Sequence, residues 1–198
     1  ANETFLLENE GEKFALRSTT GKYISHAGGK IENSGGGRNN DTLFSLEYPA
    51  FGRVAFKTPD GKYLAAKKLG GVYLKGAADE ETAFTLRLLN RPVIALMSKA
   101  FNTFVGTAGA KYVTHKATVE TFATEFENGT YAFRGSDGQY FSINGSNVVP
   151  GARTMFELRF KPGSMTLIRN ANGQCLSAEQ HGGFIVTNAE TEKEHWEF

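Results

Sequence analysis

A pattern of hydrophobic and polar positions recurs along the chain with a period of about 35 to 40 residues, typical of a repeat architecture. Two apolar residues flank a small or polar one, a polar turn ending in glycine follows, and an aromatic and an aliphatic residue come next. The pattern predicts five copies of one structural unit, of which the third is degenerate. The copies start at Phe14, Val54, Ile94, Tyr131 and Met165.

Each copy has the features of a β-hairpin. In the first copy, an alternation of period two places Phe14 and Leu16 on one face of a strand, and Ala15 and Arg17 on the other. The Asp-Gly and Asn-Gly dipeptides of later copies supply the positive φ that a tight hairpin turn needs. The repeated hairpin therefore predicts short antiparallel strands.

The aromatic residue after each turn is expected to point back into the core. Tyr23, Tyr63 and Tyr140 occupy this position in the first, second and fourth copies. Cys175 occupies it in the fifth copy, which favours a small buried hydrophobic residue over a reactive nucleophile.

A second signal follows the hairpins, an aromatic residue two positions before another apolar one. It occurs at Phe44–Leu46, Phe84–Leu86, Phe156–Leu158 and Trp196–Phe198, and also ahead of the first copy at Phe5–Leu7. Four short strands per unit, with Gly-rich turns and no helical periodicity, predict an all-β fold. The chain thus opens with the last strand of a unit whose hairpin is not in this sequence.

Composition and charge limit the partners. The chain has 198 residues with 22 Lys and Arg against 21 Asp and Glu, a net charge of +1. We expect neither nucleic acid nor membrane as a partner, since there is no overall charge for the first and no apolar run of spanning length for the second. The single cysteine favours a reducing compartment.

The sequence contains no pattern typical of catalysis or metal binding. The histidines, His26, His115, His181 and His195, lack ligand spacing with one another or with Cys175. No serine lies in a Gly-x-Ser-x-Gly context, and no Gly-rich segment is followed by the Lys-Ser/Thr of a phosphate loop. We therefore expect a protein that is not an enzyme, with no catalytic residue, no metal and no cofactor.

Basic residues are concentrated in residues 51–78, which carry six Lys and Arg and one Asp. Alternation turns several of them outward, because the neighbouring apolar residues face the core. The simplest interpretation is a solvated hairpin surface, and the functional one is a patch for an acidic partner such as a filament. The candidate residues are Arg53, Lys57, Lys62, Lys67 and Lys68.

Several segments resemble the carboxy-terminal half of the fascin family. The Gly-Lys-Tyr turns at 21–23 and 61–63 resemble those of its third β-trefoil, and Leu88–Ile94 resembles the junction between its third and fourth trefoils. Phe104–Gly106 follows at the matching place, and Glu194–Phe198 resembles the final strand.

This resemblance implies trefoil repeats of the fascin type, one complete and one partial. Residues 1–90 would be units two and three of a third trefoil, and residues 91–198 a complete fourth trefoil. A missing unit would leave an open barrel edge, so we expect the chain to be part of a longer protein or a partner to fill the gap. Closure of all five units into one ring is the other option.

The resemblance also implies an actin-filament binding and cross-linking protein of the cytoplasm and cytoskeleton. Lys67 and Lys68 stand at the position of a similar lysine pair. The turns at 97–100 and 177–180 depart from the vertebrate pattern, where they belong to a main actin site. Among the residues around these turns, Lys99, Glu179 and His181 are the charged or titratable groups that remain for that site.

Two further functions stay open. Trefoils commonly hold sugar pockets, so a carbohydrate-binding lectin is one alternative. It predicts an exposed aromatic residue with a nearby Asp or Asn in several copies, and no such trio recurs. A structural interaction module that has lost actin binding is the other, since the altered turns allow it.

Overall fold

The computed structural model describes residues 4–198, which form β-strands and short 3₁₀ turns with no α-helix in that range. Two compact units divide the chain, Ala1–Leu86 (unit 1) and Arg87–Phe198 (unit 2). Unit 1 contains β1 (Phe5–Glu10), β2 (Lys13–Ser18), β3 (Tyr23–Ser25), β4 (Glu32–Gly35), β5 (Leu43–Glu47), β6 (Ala55–Lys57), β7 (Tyr63–Ala66) and β8 (Val72–Lys75), with 3₁₀ turns at Ala27–Gly29 and Glu80–Thr82.

Unit 2 contains thirteen strands and one 3₁₀ turn at Glu192–Glu194. The strands are β9 (Val93–Ile94), β10 (Met97–Ser98), β11 (Thr103–Ala108), β12 (Lys111–Lys116), β13 (Phe122–Glu127), β14 (Thr130–Arg134), β15 (Tyr140–Asn144), β16 (Asn147–Gly151), β17 (Phe156–Lys161), β18 (Met165–Asn170), β19 (Cys175–Ala178), β20 (Phe184–Thr187) and β21 (Trp196–Glu197).

The strands of unit 2 close into a ring. Antiparallel pairs join β9 to β13, β13 to β14, β14 to β17, β17 to β18 and β18 to β21. β10 continues the path of β9 and pairs with β21, where Met97 lies opposite Glu197, so the ring returns to its start. Closure of this kind removes the unpaired edges of a sheet.

Three hairpins connect the ring strands of unit 2 and contact one another. They are β11–β12, β15–β16 and β19–β20, and β16 pairs with β20 where Asn147 lies opposite Ile185. Thr114 of β12 donates its backbone N–H to the Gly182 carbonyl at 3.0 Å. A ring of three strand pairs with three hairpins is the β-trefoil, so the predicted fold class is confirmed. One ring of five units is wrong, because three units close it.

Unit 1 forms an open series of strands within the described residues. β1 pairs with β2, β2 with β5, and β5 with β6. Val54, the residue immediately before β6, forms a bridge to Phe84. Two hairpins, β3–β4 and β7–β8, project from this series. The pairings are those of two repeated units preceded by a single strand. The boundary between residues 90 and 91 stays a prediction.

Each unit has its own apolar core. In unit 1 the buried cluster consists of Leu16, Phe44, Val54, Phe56 and Leu64. The larger cluster of unit 2 contains packed aromatic rings. Phe122 meets Phe141, and Phe184 meets Trp196, edge to face, while Phe133 meets Phe156 at a tilted angle. Full burial of a side chain of this size stabilises a fold by roughly 2 kcal/mol.

The aromatic residues after the turns are covered by protein, as predicted, but they lie outside the two core clusters. Tyr63 is buried, with 9% exposure, and Tyr23 and Tyr140 are half-buried. Tyr63 lies directly opposite Lys57 in the β6–β7 pair. Residues directly opposite share a face, so the Tyr63 ring lies on the same face as Lys57, whose ammonium covers it. The next residue, Leu64, packs in the core instead. Tyr23 and Tyr140 are likewise opposite Arg17 and Arg134.

The fifth copy also starts one residue later than the sequence pattern indicates. Arg169 lies opposite Cys175, just as Arg17 lies opposite Tyr23 in the first copy. Counting back from Arg169 places the start of the copy at Thr166 rather than Met165. Cys175 is buried, as predicted, and has a free thiol.

Candidate functional site

The basic face predicted in unit 1 is partly neutralised by carboxylates that lie before and after residues 51–78. Lys57 Nζ lies 2.8 Å from Glu47 Oε1, and the Tyr63 hydroxyl donates to Glu47 Oε2 at 2.8 Å. The Lys57 ammonium also lies 5.3 Å from the centre of the Tyr63 ring. The hydrogen bond between Lys57 and Glu47 lowers the pKa of Glu47 and raises the pKa of Lys57. Lys57 is therefore engaged within its own hairpin.

This cluster of a glutamate, a basic residue and a tyrosine recurs in the repeat. In each case the tyrosine hydroxyl donates a hydrogen bond to the glutamate carboxylate, and the basic residue lies within ion-pair distance of the same carboxylate. The clusters are Glu8, Arg17 and Tyr23; Glu47, Lys57 and Tyr63; and Glu125, Arg134 and Tyr140. Because both units contain it, we interpret the cluster as part of the hairpin framework.

Lys62 is paired at the turn that precedes β7. Its Nζ lies 2.9 Å from Asp60 Oδ2, and the Thr58 hydroxyl donates to Asp60 Oδ1 at 2.5 Å. The Thr58 hydrogen bond, assisted by Lys62, lowers the pKa of Asp60 to about 2. Asp60 therefore offsets the charge of Lys62 over the whole physiological pH range.

Lys75, at the end of β8, is also paired. Its ammonium contacts Asp79 and lies 2.6 Å from Glu81 Oε2. The Tyr73 hydroxyl donates to the same Glu81 oxygen at 2.6 Å. The hydrogen bonds to Lys75 lower the pKa of both Asp79 and Glu81, so both carboxylates stay ionised beside it.

The tip of the β7–β8 hairpin, residues 67–71, keeps its positive charge. Lys67 Nζ lies 5.5 Å from the centre of the Tyr73 ring, and both Lys67 and Lys68 are exposed. Within residues 4–198 neither lysine forms an ion pair. Arg53 is half-buried and engaged in contacts of its own. The uncompensated charge of the predicted face thus lies at this tip.

The other predicted site residues lie in unit 2, and each charged one has its own partner. Lys99 pairs with Glu197 at 2.7 Å, and Glu179 pairs with Lys193 at 3.1 Å. His181 is exposed at the turn between β19 and β20. The structure therefore brings Lys99 and Glu179 to separate ion pairs rather than to each other.

The comparisons with known proteins agree with the repeated hairpin architecture. A family model described as "Fascin domain" matches residues 26–111 and 98–198. The chain belongs to the fascin family.

Two named fascins show how much of the family this chain represents. Fascin of Strongylocentrotus purpuratus is 30% identical over 211 residues, which cover 99% of this chain and 41% of that protein. Fascin-2 of Homo sapiens is 29% identical over 192 residues, covering 91% of this chain and 38% of that protein. The chain thus spans about two fifths of the length of these relatives.

A solved structure titled "Structure and mode of action of a mosquitocidal holotoxin" is 9% identical, with a TM-score of 0.49, and covers 98% of this chain and 29% of that one. A likeness at this level bears on neither fold nor function.

No catalytic arrangement emerges from the described part of this fascin-family chain. Residues 4–198 contain no group of three or more His, Cys, Asp or Glu side chains placed to hold a metal ion. Burial raises the pKa of the Cys175 thiol to about 11, which keeps it protonated and unreactive. No helix in this range has the length and apolar character of a membrane span.

Sequence reasoning on this fascin-family chain missed the partners of the basic residues. Glu47, Asp79 and Glu81 lie just before or after residues 51–78 and contact Lys57 or Lys75. The signal for Glu47 was available, since it is in the strand that pairs with β6. Alternation alone gives the face of a residue and says nothing about what shares that face.

Proposed function

We propose that this chain binds actin filaments through the tip of the β7–β8 hairpin, as the filament-binding part of a non-enzymatic cross-linking protein of the cytoplasmic cytoskeleton. Fascin-family membership supports actin as the partner. One observation supports this surface: Lys67 and Lys68 are exposed in unit 1, and no carboxylate of residues 4–198 forms an ion pair with either. The other candidate residues lie around this contact in the proposal and contribute less to the affinity. Lys57 and Lys62 are already in ion pairs, and Arg53 is half-buried.

The charge arrangement suits an acidic filament surface. Exposed cations without a local partner retain their field, which raises the rate of encounter with an acidic surface and fixes the orientation of binding. A cation in an ion pair keeps little of that effect, because the field of the adjacent carboxylate cancels its own. Salt screens both kinds of cation beyond the Debye length, which is about 8 Å in physiological salt. Binding should therefore depend on Lys67 and Lys68 far more than on Lys62.

Cross-linking of filaments needs a second contact. The candidates are Lys99, Glu179 and His181 of unit 2, further trefoils of a longer chain, or a second copy of this chain. We propose that Lys99 and Glu179 contribute weakly, since each is held by an ion pair of its own.

Co-sedimentation with actin filaments across a range of salt tests the proposal. The double variant Lys67→Glu/Lys68→Glu should bind about ten-fold more weakly and show a shallower salt dependence, a loss equivalent to roughly 1.4 kcal/mol. The matched control Lys22→Glu/Lys30→Glu makes the same charge change at two other exposed lysines of unit 1 and should bind nearly as well as the unmodified chain.

Equal losses in the two double variants would overturn the assignment of the surface, because net charge rather than position would then govern binding. Low-speed sedimentation measures bundling separately. A chain that pellets with filaments at high speed but does not bundle them has the first contact and lacks the second.

A further inference from the structure

The tip of the β7–β8 hairpin also carries an apolar side chain in full contact with water. Leu69 has a relative accessibility of 102%, and Val72 beside it has 48%. Leu69 follows the two uncompensated lysines directly in the chain. The tip therefore presents an exposed apolar side chain directly after two positively charged ones.

Backbone hydrogen bonds hold Leu69 at the apex. The Lys67 N–H donates to the Gly71 carbonyl at 3.0 Å, and the Gly70 N–H donates back to the Lys67 carbonyl at 3.0 Å. Gly70 and Gly71 have φ values of +93° and +89°, a region that side chains rarely adopt. The turn is therefore closed around a fixed leucine position by two residues that need to be glycine.

The base of the hairpin is fixed as well. The Lys67 ammonium lies over the Tyr73 ring at 5.5 Å, and the Tyr73 hydroxyl is bound to Glu81 at 2.6 Å. Lys75 binds the same Glu81 from β8. A tip held in this way loses little conformational freedom when it docks, which favours affinity.

We infer that Leu69 is the apolar anchor of the filament contact, inserting into a small apolar depression on the actin filament whose rim is acidic. The inference rests on the proposed function and names the residue that gives the contact its affinity. The two lysines require negative charge around the depression, and the exposed leucine gains free energy only where the centre of the contact excludes water.

The variant Leu69→Asn keeps the charge and removes the apolar side chain. We expect its affinity for actin filaments to fall about ten-fold, the effect of burying one leucine at an interface. The ratio of its dissociation constant to that of the unmodified chain should stay constant as salt rises. By contrast, the effect of Lys67→Glu/Lys68→Glu should shrink with salt, because only charge interactions are screened.

Two further variants serve as controls. Leu69→Met keeps an apolar side chain and should bind nearly as well as the unmodified chain. Leu89→Asn makes the same change at another exposed leucine, 60% accessible in unit 2, and should leave binding unchanged. Thermal unfolding should not differ among these variants, because both leucines are on the surface.

The outcomes separate this inference from the proposed function. If Leu69→Asn binds as well as the unmodified chain while Lys67→Glu/Lys68→Glu binds weakly, the anchor is overturned and the proposed function stands. If the unmodified chain does not sediment with filaments, both are overturned. If Leu69→Asn loses binding to phosphatidylserine vesicles but not to filaments, the tip docks on a lipid surface and the anchor is again overturned.

Discussion

Replacing Gly182 with alanine tests the contact between two hairpins of the unit 2 trefoil. Gly182 has a φ of +83°, and a Cβ built on it would lie 1.7 Å from His115 Nδ1 and 2.7 Å from His115 Cγ. The backbone cannot easily move away, because the Gly182 carbonyl accepts the Thr114 N–H at 3.0 Å. An alanine here must displace the His115 ring.

The expected cost has two parts. A non-glycine residue in the left-handed region costs about 1–2 kcal/mol. Turning the exposed His115 ring away from its rotamer adds about 0.5–1.5 kcal/mol. Gly182→Ala should thus lower the free energy of unfolding by about 2 kcal/mol. The control Gly138→Ala has nearly the same φ, +81°, with no atom within 4 Å of the added Cβ, so it should show the first part alone.

Urea unfolding followed by tryptophan fluorescence measures both variants, since the single tryptophan, Trp196, is fully buried in the core of unit 2. Adding His115→Ala to Gly182→Ala should recover most of the cost of displacing the ring in a double-mutant cycle. Equal losses for Gly182→Ala and Gly138→Ala, or no recovery with His115→Ala, would refute the close approach of these two hairpins.

Three further predictions concern stability and reactivity. Glu194→Ala should cost about 3 kcal/mol in thermal unfolding, because the Ser177 hydroxyl loses its buried acceptor, and Glu194→Gln should cost less. Folding lowers the pKa of Asp60 from 3.8 to about 2 and also lowers the pKa of Glu47 from its ordinary 4.5. The stabilisation from these carboxylates is present above their ordinary pKa values and is lost as they become protonated, so the urea midpoint should fall as the pH drops from about 4.5 toward 2. The fall should be less steep in Asp60→Asn, which lacks one of the two groups. Cys175 should react with a thiol reagent only after denaturation, and labelling of the native protein at neutral pH would contradict its burial.

The sequence predicts the repeat and the fold class because both depend on local rules. Period-two alternation and glycine turns define each hairpin, and Gly61 and Gly138 have the positive φ that their Asp-Gly dipeptides indicate. What the pattern misses is closure of the ring. The pairing of β10 with β21 joins Met97 to Glu197, residues a hundred positions apart, and no local rule relates them.

The candidate site was predictable in outline but not in detail. The sequence places Lys67 and Lys68 at a hairpin tip and gives their charge. It does not show that Glu47 neutralises Lys57, since that depends on how β5 and β6 pair. The exposure of Leu69 could not be predicted from the sequence, because a single leucine after two lysines is common at the end of a buried strand.

The recurring cluster explains both the position of the tyrosines and the cysteine of the fifth copy. In the second copy, Glu47 lies opposite the small Ala55, which leaves room for the Tyr63 hydroxyl to reach the carboxylate. The first and fourth copies repeat the glutamate–alanine pairing. The tyrosine thus recurs in these copies as a covered hydrogen-bond donor beside the glutamate, outside the main apolar cluster.

The fifth copy changes the glutamate and the tyrosine of the cluster together and keeps the basic residue as Arg169. The place of the glutamate is taken by Arg159, which lies opposite Leu167 instead of an alanine and turns to Glu157 at 2.7 Å. Without an acceptor, a tyrosine at the opposing position would have an unsatisfied hydroxyl. Cys175 has no such requirement, and it is buried with Leu167. A cysteine that stands out in the sequence is thus accounted for by an arginine sixteen residues earlier in the chain, through strand pairing alone.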